Sequence, residues 1–298
     1  MKAVQFSEYG GPDVLHLVDV EEPHAGAGQI RIAVRAAGVN GIDWKIRAGY
    51  MGKARQLPTG TGVDAAGVVD EIGDGVRGVA IGDEVFGSGS ATLAEHAVLA
   101  HWAVKPPELS FEEAAGFPVP VETAIRIIDQ VGVRSGETLL VSGAGGGVGS
   151  AVVQIARHRG VTVIGTASPA NQDYLRSLGA IATTYGDGLV DRVRELAPTG
   201  VDAALDIAGS GVIPELIELT GDPSKVLSIA DFSAPEHGAQ VSSTPTNADA
   251  AYAEAARLFR GGDLHIPVDR TFHLDDAAAA QAASAAGHAA GRIVVTVP

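Results

Sequence analysis

The stretch of sequence that decides the fold is Val141 to Gly160, VSGAGGGVGSAVVQIARHRG. The apolar run Thr138 to Val141 leads into it and predicts a strand. Five glycines then fall within the seven residues Gly143 to Gly149, a density typical of backbone that turns tightly and approaches a ligand closely. Apolar residues at helical spacing follow from Val148 to Ile155. Strand, glycine turn and helix in this order aim free N–H groups and a helix dipole at one point, which suits a dinucleotide pyrophosphate.

The spacing of the glycines departs from the commonest dinucleotide fingerprint. It reads as A-x-G-x-x-G on Ala144, Gly146 and Gly149, or as G-x-x-G-x-x-G with Gly143 first. The surrounding sequence supports the interpretation, because further strands with short helical patterns between them are predicted at 161–167, 181–185, 201–206 and 226–229. This alternation predicts a doubly wound parallel sheet. The alternative is a flexible glycine-rich loop without a ligand, which an ordered β-α-β series on both sides disfavours.

Composition limits the classes of function. A chain of 298 residues with 46% hydrophobic residues is long enough for two domains. No apolar run reaches the roughly eighteen residues of a membrane span, and MKAVQFSEYG at the start lacks signal-peptide features, so we predict a cytoplasmic protein. The absence of cysteine excludes disulfides, a cysteine nucleophile and thiolate metal sites. A net charge of −15 opposes binding to nucleic acid or anionic membranes, although it permits a local basic pocket for one anionic cofactor.

The first third of the chain predicts a small β-barrel. Apolar and polar residues alternate from Ile30 to Ala36, and further short strands separated by Gly and Asp continue to Ala103. Ser110 and Glu113 form a capping-box pattern before a helical segment that runs to Val131, and the domain crossing is predicted there, near residue 120. Beyond the parallel sheet, the sequence predicts a helix at 248–260, a strand at 266–274, a helix to 287 and a last strand at 292–297.

Seven separated motifs, in order, carry a family likeness: MKAVQFSEYGGPDVL at Met1, AAGVNGIDWKIRAG at Ala36, GVDAAGVVDEIGDGV at Gly62, GDEVFG at Gly82, LSFEEAAGFPV at Leu109, SGAGGGVG at Ser142 and GRIVV at Gly291. Over almost its whole length the chain resembles the zinc-independent medium-chain dehydrogenase/reductases, in their quinone oxidoreductase (zeta-crystallin-like) branch. The resemblance implies an α/β protein with a GroES-like β-barrel catalytic domain, 1–120 and 263–298, and a Rossmann doubly wound parallel-sheet domain, 121–262.

The same resemblance implies the chemistry. It implies NADPH as cofactor, reduction of quinones or activated alkenes (enones) by direct hydride transfer, and a homodimer formed through the Rossmann sheet edge. The zinc ligands of the family's metal-dependent relatives correspond to places near Asn40 to Asp43, at Val63 and at Val119. These residues offer no thiolate or imidazole set, so we expect activity without a metal.

The resemblance also assigns roles to residues of the loop after the strand that starts at Ile30. It implies that Asn40 and Asp43 lie near the nicotinamide and the substrate carbonyl, and that Tyr50 lines the substrate pocket. These three are the catalytic candidates, with Asn40 as a donor to the developing oxyanion and Tyr50 or solvent as the proton source. Turn-forming Asn and Asp, and a tyrosine that plugs the barrel end, are the alternatives.

The cofactor-binding candidates extend over both domains. Lys45 could close onto Asp43 or onto a cofactor phosphate, and Thr123 matches a family threonine beside the nicotinamide, although it could be an ordinary helix residue. The full set of cofactor-binding candidates is Asn40, Asp43, Trp44, Lys45, Thr123, Ala144, Gly146, Gly147, Val148, Gly149, Ser168, Asn171, Tyr185 and Ile229.

The sequence predicts a preference for NADPH over NADH. An NAD site needs an Asp or Glu about twenty residues past the glycines to hold the ribose 2′-hydroxyl, and the chain has Thr166-Ala167-Ser168 there. By resemblance Ser168, Asn171 and Tyr185 contact the 2′-phosphate, with Arg176 as a possible counter-charge. Two other functions stay open: an enoyl-thioester reductase of a biosynthetic pathway, and a non-catalytic NADPH-binding protein.

Overall fold

The computed structural model describes residues 1–287 and 289–298. The strands are β1 (Lys2–Phe6), β2 (Leu15–Asp19), β3 (Ile30–Val39), β4 (Thr59–Gly60), β5 (Asp64–Ile72), β6 (Glu84–Ser90), β7 (His96–Val104), β8 (Thr138–Ser142), β9 (Thr162–Thr166), β10 (Ile181–Thr183), β11 (Ala203–Asp206), β12 (Val226–Ser228), β13 (Gln240–Val241), β14 (Val268–His273) and β15 (Arg292–Thr296). The helices are α1 (Gly41–Arg47), α2 (Phe111–Ala115), α3 (Pro118–Val131), α4 (Gly147–His158), α5 (Gln172–Ser177), α6 (Leu189–Leu196), α7 (Ile213–Thr220), α8 (Ala248–Arg260) and α9 (Ala277–Ala286). None of these helices combines the length and the hydrophobicity that crossing a bilayer requires.

The chain divides into two compact units. The first unit comprises Met1–Val119, Ala248–Gly261 and Ile266–Pro298, and the second comprises Pro120–Asn247 and Gly262–His265. The α2 helix begins after Ser110, which forms the expected capping box with Glu113. The predicted helix is interrupted before Pro118, and Pro120 lies in the first turn of α3, where its missing N–H removes no helical hydrogen bond.

The first unit contains a closed barrel. β3 pairs antiparallel with both β5 and β7, and β6 joins β5 to β7, so these strands form a ring. β15 pairs with the other end of β3, which brings the C-terminal strand into the barrel sheet. The predicted alternation is confirmed, since Ile30, Ile32, Val34 and Ala36 are buried and Arg35 is exposed.

The second unit is a parallel sheet with helices in its connections. The strand order is β10-β9-β8-β11-β12-β13, and every pairing is parallel. Numbered within the sheet, this order is 3-2-1-4-5-6, which is the doubly wound order of dinucleotide-binding folds. The first five strands of this sheet were predicted from the sequence, and β13 was not, because two residues without an apolar run give no strand pattern.

One helix lies in a different unit from the one predicted. The sequence placed 248–260 in the domain 121–262, whereas α8 belongs to the first unit. Tyr252 explains the difference, because its hydroxyl bonds to Ser88 Oγ at 2.8 Å and its ring centroid lies 6.0 Å from that of Phe86. Asp249 also pairs with His101 on β7 at 3.1 Å. The buried aromatic side chain therefore attaches α8 to the barrel strands, a pairing that no local pattern in the sequence indicates.

Candidate functional site

The glycine turn between β8 and α4 has the shape of a phosphate cradle. A Cβ atom on Gly149 would come 2.4 Å from the carbonyl oxygen of Gly143, so only glycine lets α4 pack this close to the turn. Gly146, the N-cap of α4, is different: nothing lies within 4 Å of the position its Cβ would take. The space in front of the helix N-terminus is therefore open, and free N–H groups and the positive end of the helix dipole face it.

Three polar side chains that the sequence analysis missed support this turn. Ser150 Oγ donates to the carbonyl oxygen of Gly146 at 2.8 Å, and the hydroxyl of Tyr174 donates to Ser150 Oγ at 2.9 Å. On the other side, the N–H of Gly143 donates to Thr166 Oγ1 at 3.2 Å. A serine four residues after the N-cap glycine was the available signal, but the partner on α5 was not readable from local sequence. The turn supported in this way, with open space in front of Gly146, fits a dinucleotide pyrophosphate.

Ala144, Gly147 and Val148 complete the candidate turn. Ala144 is fully buried, and its N–H donates to the carbonyl oxygen of Thr166 at 2.9 Å. Gly147 and Val148 form the half-buried first turn of α4. These contacts fix the backbone of the turn.

The residues expected at the 2′-phosphate lie at the carboxyl ends of β9 and β10. Asn171 is close to the glycine turn, since its Nδ2 lies 3.5 Å from the position of a Cβ on Gly145. Ser168 is half-buried and Tyr185 is 58% exposed. The structure does not leave Arg176 free as a counter-charge, because its guanidinium pairs with Asp173 at 2.6 Å, three residues back on the exposed face of α5.

Thr123 and Ile229 are the remaining candidates of the second unit. Thr123 is buried on α3, and its Oγ1 accepts a long hydrogen bond of 3.4 Å from Arg126. Arg126 in turn forms a buried ion pair with Glu122 at 3.0 Å. Ile229 is half-buried directly after β12, at the carboxyl edge where ligands bind in open parallel sheets.

In the first unit, Asn40 and Asp43 are joined at the start of α1. The N–H of Asn40 donates to Asp43 Oδ2 at 2.7 Å, and both residues are almost completely buried. Lys45 does not close onto Asp43, since its Nζ lies 5.7 Å from the ring centroid of Trp44 in a cation–π contact. The turn-forming role considered for Asn40 and Asp43 is thus present in the structure, and their proposed catalytic role comes in addition to it.

A second carboxylate, Asp64 on β5, organises the surroundings of Asn40. Its side chain is fully buried, and Oδ2 accepts from Asn40 Nδ2 at 2.9 Å and from Arg292 Nη2 at 3.2 Å. The N–H of Val119 donates to Oδ1 at 3.1 Å. Four separate segments of the first unit therefore meet at one carboxylate. Asp64 and Arg292 lie within the family motifs but had no predicted role. The signal for both was a charged residue inside an apolar strand.

Burial changes the proton affinity of both acids. Burial raises the pKa of Asp43 to about 7. The hydrogen bond from the N–H of Asn40 acts in the opposite direction and lowers this pKa. Burial raises the pKa of Asp64 to about 6, opposed first by Arg292. At neutral pH Asp64 is therefore the ionised partner of Arg292, while Asp43 is divided between its protonated and ionised forms.

Beside this cluster, the exposed Tyr50 lies against the half-buried Trp44. Tyr50 is 74% exposed and its ring centroid lies 6.1 Å from that of Trp44, so the alternative of a tyrosine plugging the barrel end is wrong. The indole Nε1 of Trp44 is buried without a hydrogen-bond partner in the described chain. A small cavity of about 60 Å³ lies nearby, lined by Asp43, Thr61 and the exposed Arg55 among others.

In residues 1–287 and 289–298, no group of three or more His, Asp or Glu side chains is placed to hold a metal ion. Fold and sites together define the class: a dehydrogenase of the alcohol dehydrogenase type, with a barrel unit and a dinucleotide-type parallel sheet. Two family models agree, since residues 26–107 match the alcohol dehydrogenase GroES-like domain and residues 178–295 match the zinc-binding dehydrogenase domain.

Comparison with known proteins narrows the class to a family. The quinone oxidoreductase of Lama guanicoe is 34% identical over 237 residues, which cover 76% of this chain and 72% of the relative. A mycobacterial protein solved in complex with NADPH is 27% identical, with a TM-score of 0.86, and the match covers 99% of this chain and 100% of that one. The chain belongs to the quinone oxidoreductase branch of the medium-chain dehydrogenase/reductases.

A third relative is much longer than this chain. The spectinabilin polyketide synthase system protein NorB of Streptomyces orinoci is 35% identical over 317 residues, which cover 97% of this chain and 14% of that protein. The chain also spans only 53% to 58% of the length of three further curated relatives.

Proposed function

We propose that this chain is an NADPH-dependent oxidoreductase that reduces quinones or enones. The observation that carries the proposal is the open space in front of Gly146, at the N-terminus of α4, where free N–H groups and the helix dipole favour a dinucleotide pyrophosphate. The Lama guanicoe relative named quinone oxidoreductase supports the substrate class, and the mycobacterial complex with NADPH supports the cofactor. When bound, the reduced nicotinamide supplies the hydride.

The residues of this chain have separate tasks in the proposed reaction. Gly146, Gly147 and Gly149 form the pyrophosphate cradle, and Ser168, Asn171 and Tyr185 hold the adenosine 2′-phosphate. In the first unit, Asn40 presents an amide to the substrate oxygen, where negative charge develops. Asp64 fixes that amide through the 2.9 Å hydrogen bond, so the donor needs no reorganisation during the reaction.

Asp43 replaces Tyr50 as the preferred proton source. Its pKa of about 7 lets the buried carboxyl hold a proton at neutral pH. Oδ2 accepts the N–H of Asn40, which leaves Oδ1 as the oxygen that carries the proton in this proposal. The hydroxyl of Tyr50, on a side chain that is 74% exposed, is interchangeable with solvent in this role.

A second candidate function is the reduction of enoyl thioesters. The observation that favours it is the match of 97% of this chain to a segment of the polyketide synthase system protein of Streptomyces orinoci. The chemistry is closely related, because an enoyl thioester and an enone both carry an electron-poor carbon β to a carbonyl group.

One experiment separates the candidates. NADPH oxidation is measured with 1,4-benzoquinone, with 3-penten-2-one and with crotonyl-coenzyme A, each in the presence and absence of a chelator. We expect turnover with the quinone or the enone that the chelator leaves unchanged. Turnover with the thioester alone would establish the second candidate, and NADPH binding without any turnover would establish a non-catalytic role. Zinc at one equivalent per chain, with activity lost on chelation, would contradict the metal-free reaction.

The homodimer expected from the resemblance remains a proposal. Size-exclusion chromatography with light scattering tests it, and a mass near 30.2 kDa would contradict it.

A further inference from the structure

One side chain of α6 holds the turn that follows β10. Arg192 Nη2 donates to the carbonyl oxygens of Thr184 at 3.0 Å and Gly186 at 3.3 Å, and Nη1 donates to that of Asp187 at 2.7 Å. A further, longer contact of 3.5 Å reaches the carbonyl oxygen of Tyr185. One planar guanidinium thus fixes the backbone on both sides of Tyr185.

Arg192 also differs from neighbouring arginines in that no carboxylate pairs with it in the described chain. Arg176 is neutralised by Asp173 at 2.6 Å, and Arg194, two residues further along α6, pairs with Glu218 at 2.7 Å. Within the described chain, Arg192 donates to carbonyl oxygens and forms no ion pair, and its Nε is buried without a hydrogen-bond partner. A positive charge that no carboxylate compensates therefore lies against the turn that carries Tyr185.

Carboxylates of the same segment oppose this charge only weakly. Asp187 on the turn and Asp191 on α6 are both exposed. Solvent and salt screen exposed charges more than a half-buried guanidinium, so the field at the turn is dominated by Arg192 at short range.

The turn is tied to the end of the neighbouring strand. Gln172 Nε2 donates to the carbonyl oxygens of both Ala167, after β9, and Thr183, at the end of β10, each at 2.9 Å. In doubly wound sheets the end of this second strand meets the adenosine ribose, where an Asp or Glu selects the 2′-hydroxyl or a nearby Arg accommodates a 2′-phosphate. The chain has no acid in Thr166-Ala167-Ser168, and Gln172 brings the Arg192 turn beside that strand end.

We propose that Arg192 is a positioning residue that makes this chain prefer dinucleotides with an adenosine 2′-phosphate, by fixing the Tyr185 turn and by adding positive charge behind it. The inference rests on the proposed dinucleotide site and names the residue that sets its selectivity. Arg176, which the sequence suggested for this role, is replaced by a residue whose contacts are all to the turn itself.

Two nucleotides that differ only in the relevant group test the proposal. Binding of 2′,5′-ADP and of 5′-AMP to the full chain is measured by isothermal titration calorimetry. We expect the wild-type chain to bind 2′,5′-ADP more tightly. Arg192→Met lowers the affinity for 2′,5′-ADP about tenfold, because the turn loses the side chain that fixes it and the 2′-phosphate loses a nearby positive charge, and changes the affinity for 5′-AMP less than twofold.

The matched control is Arg194→Met, the same change on the same helix, which we expect to alter neither affinity. Arg192→Lys keeps the charge but cannot donate to several carbonyl oxygens in a fixed fork, so we expect it to lower the affinity ratio about threefold in a folded protein. An unchanged ratio in Arg192→Lys, or an equal loss of both nucleotides in Arg192→Met, would overturn the inference alone. A wild-type chain that binds neither nucleotide would overturn the proposed function together with it.

Discussion

Asn40 Nδ2 donates to Asp64 Oδ2 across 2.9 Å in the interior of the barrel unit. The sequence predicted that Asn40 donates a hydrogen bond to the substrate. The structure adds that the buried carboxylate of Asp64 already orients the amide of Asn40. An amide nitrogen carries two hydrogens, so one N–H remains for a substrate oxygen while the other is held. A pre-oriented donor of this kind is what stabilises a developing oxyanion without reorganisation.

The first prediction concerns turnover. Asn40→Ala should lower kcat by about 10² to 10³, the usual cost of removing one oxyanion donor, while the Kd for NADPH changes little. Tyr50→Phe is the control and should change kcat less than threefold, because water reaches a side chain that is 74% exposed. Steady-state kinetics with a quinone, together with NADPH binding, check both variants. An Asn40→Ala enzyme with unchanged kcat would remove Asn40 from the reaction.

The second prediction concerns the buried ion pair between Asp64 and Arg292. Replacing one partner leaves the other charge buried and uncompensated, which costs about 3–5 kcal/mol in such pairs. Asp64→Asn and Arg292→Met should each lower the free energy of unfolding by that amount, and the double variant by clearly less than the sum. Urea unfolding of the four proteins measures the coupling. Additive effects would show that the pair at 3.2 Å contributes no coupling.

The third prediction is a pH dependence of stability caused by Asp43. The folded carboxyl keeps its proton up to about pH 7, whereas the unfolded one releases it near its ordinary value of 3.8. Between these values the folded state binds more protons, so the free energy of unfolding falls as the pH rises from about 4 to 7. The charged groups that face Asp43 are Asp64, Arg292 and Arg55.

Asp43→Asn tests this prediction, because the amide oxygen can still accept the N–H of Asn40 but the side chain no longer titrates. We expect its melting temperature to fall less between pH 5 and pH 8 than that of the wild type. Asp64, whose pKa is raised to about 6, contributes to the slope that remains. Identical pH profiles of the two proteins would contradict the raised pKa of Asp43.

The fourth prediction compares two glycines of the same turn. Gly149→Ala forces a Cβ against the carbonyl oxygen of Gly143, so we expect destabilisation of about 1–3 kcal/mol. Gly146→Ala meets open space at a φ of −83°, which alanine adopts freely, and should stay within about 1 kcal/mol of the wild type. The methyl group that Gly146→Ala adds lies in the space proposed for the pyrophosphate, so the affinity for NADPH should fall about tenfold or more.

Thermal unfolding and NADPH fluorescence titration measure these two effects separately. Gly146→Ala with wild-type affinity for NADPH would show that the pyrophosphate does not approach this turn. The comparison is informative because both variants add a single methyl group and differ only in the surroundings of that group.

Local patterns predicted much of the fold. The glycine cluster at Gly143 to Gly149, flanked by short apolar runs, predicted the parallel sheet. Such turns and alternating patterns depend only on residues that are close together in the sequence. The alternation from Ile30 to Ala36 predicted the barrel strand for the same reason. The motifs also pointed to the correct family, since each is a short run whose residues are adjacent in the chain.

The tertiary structure alone decided which side chains meet. Asp64 and Arg292 are 228 residues apart in sequence, and α8 joins the barrel through Tyr252, so neither relationship has a local signature. Arg176 and Arg192 cannot be distinguished by local sequence. Arg176 pairs with Asp173 on its own helix, whereas Arg192 donates to backbone carbonyl oxygens of the turn that contains Tyr185. The sequence by itself determined most of the elements and their order, but it left out β13 and predicted a loop where α1 lies. Burial raises the pKa of Asp43, and hydrogen-bond partners orient Asn40, only once the strands have closed into a barrel. Both effects depend on packing between segments that are distant in sequence, because this packing sets desolvation and hydrogen-bond geometry.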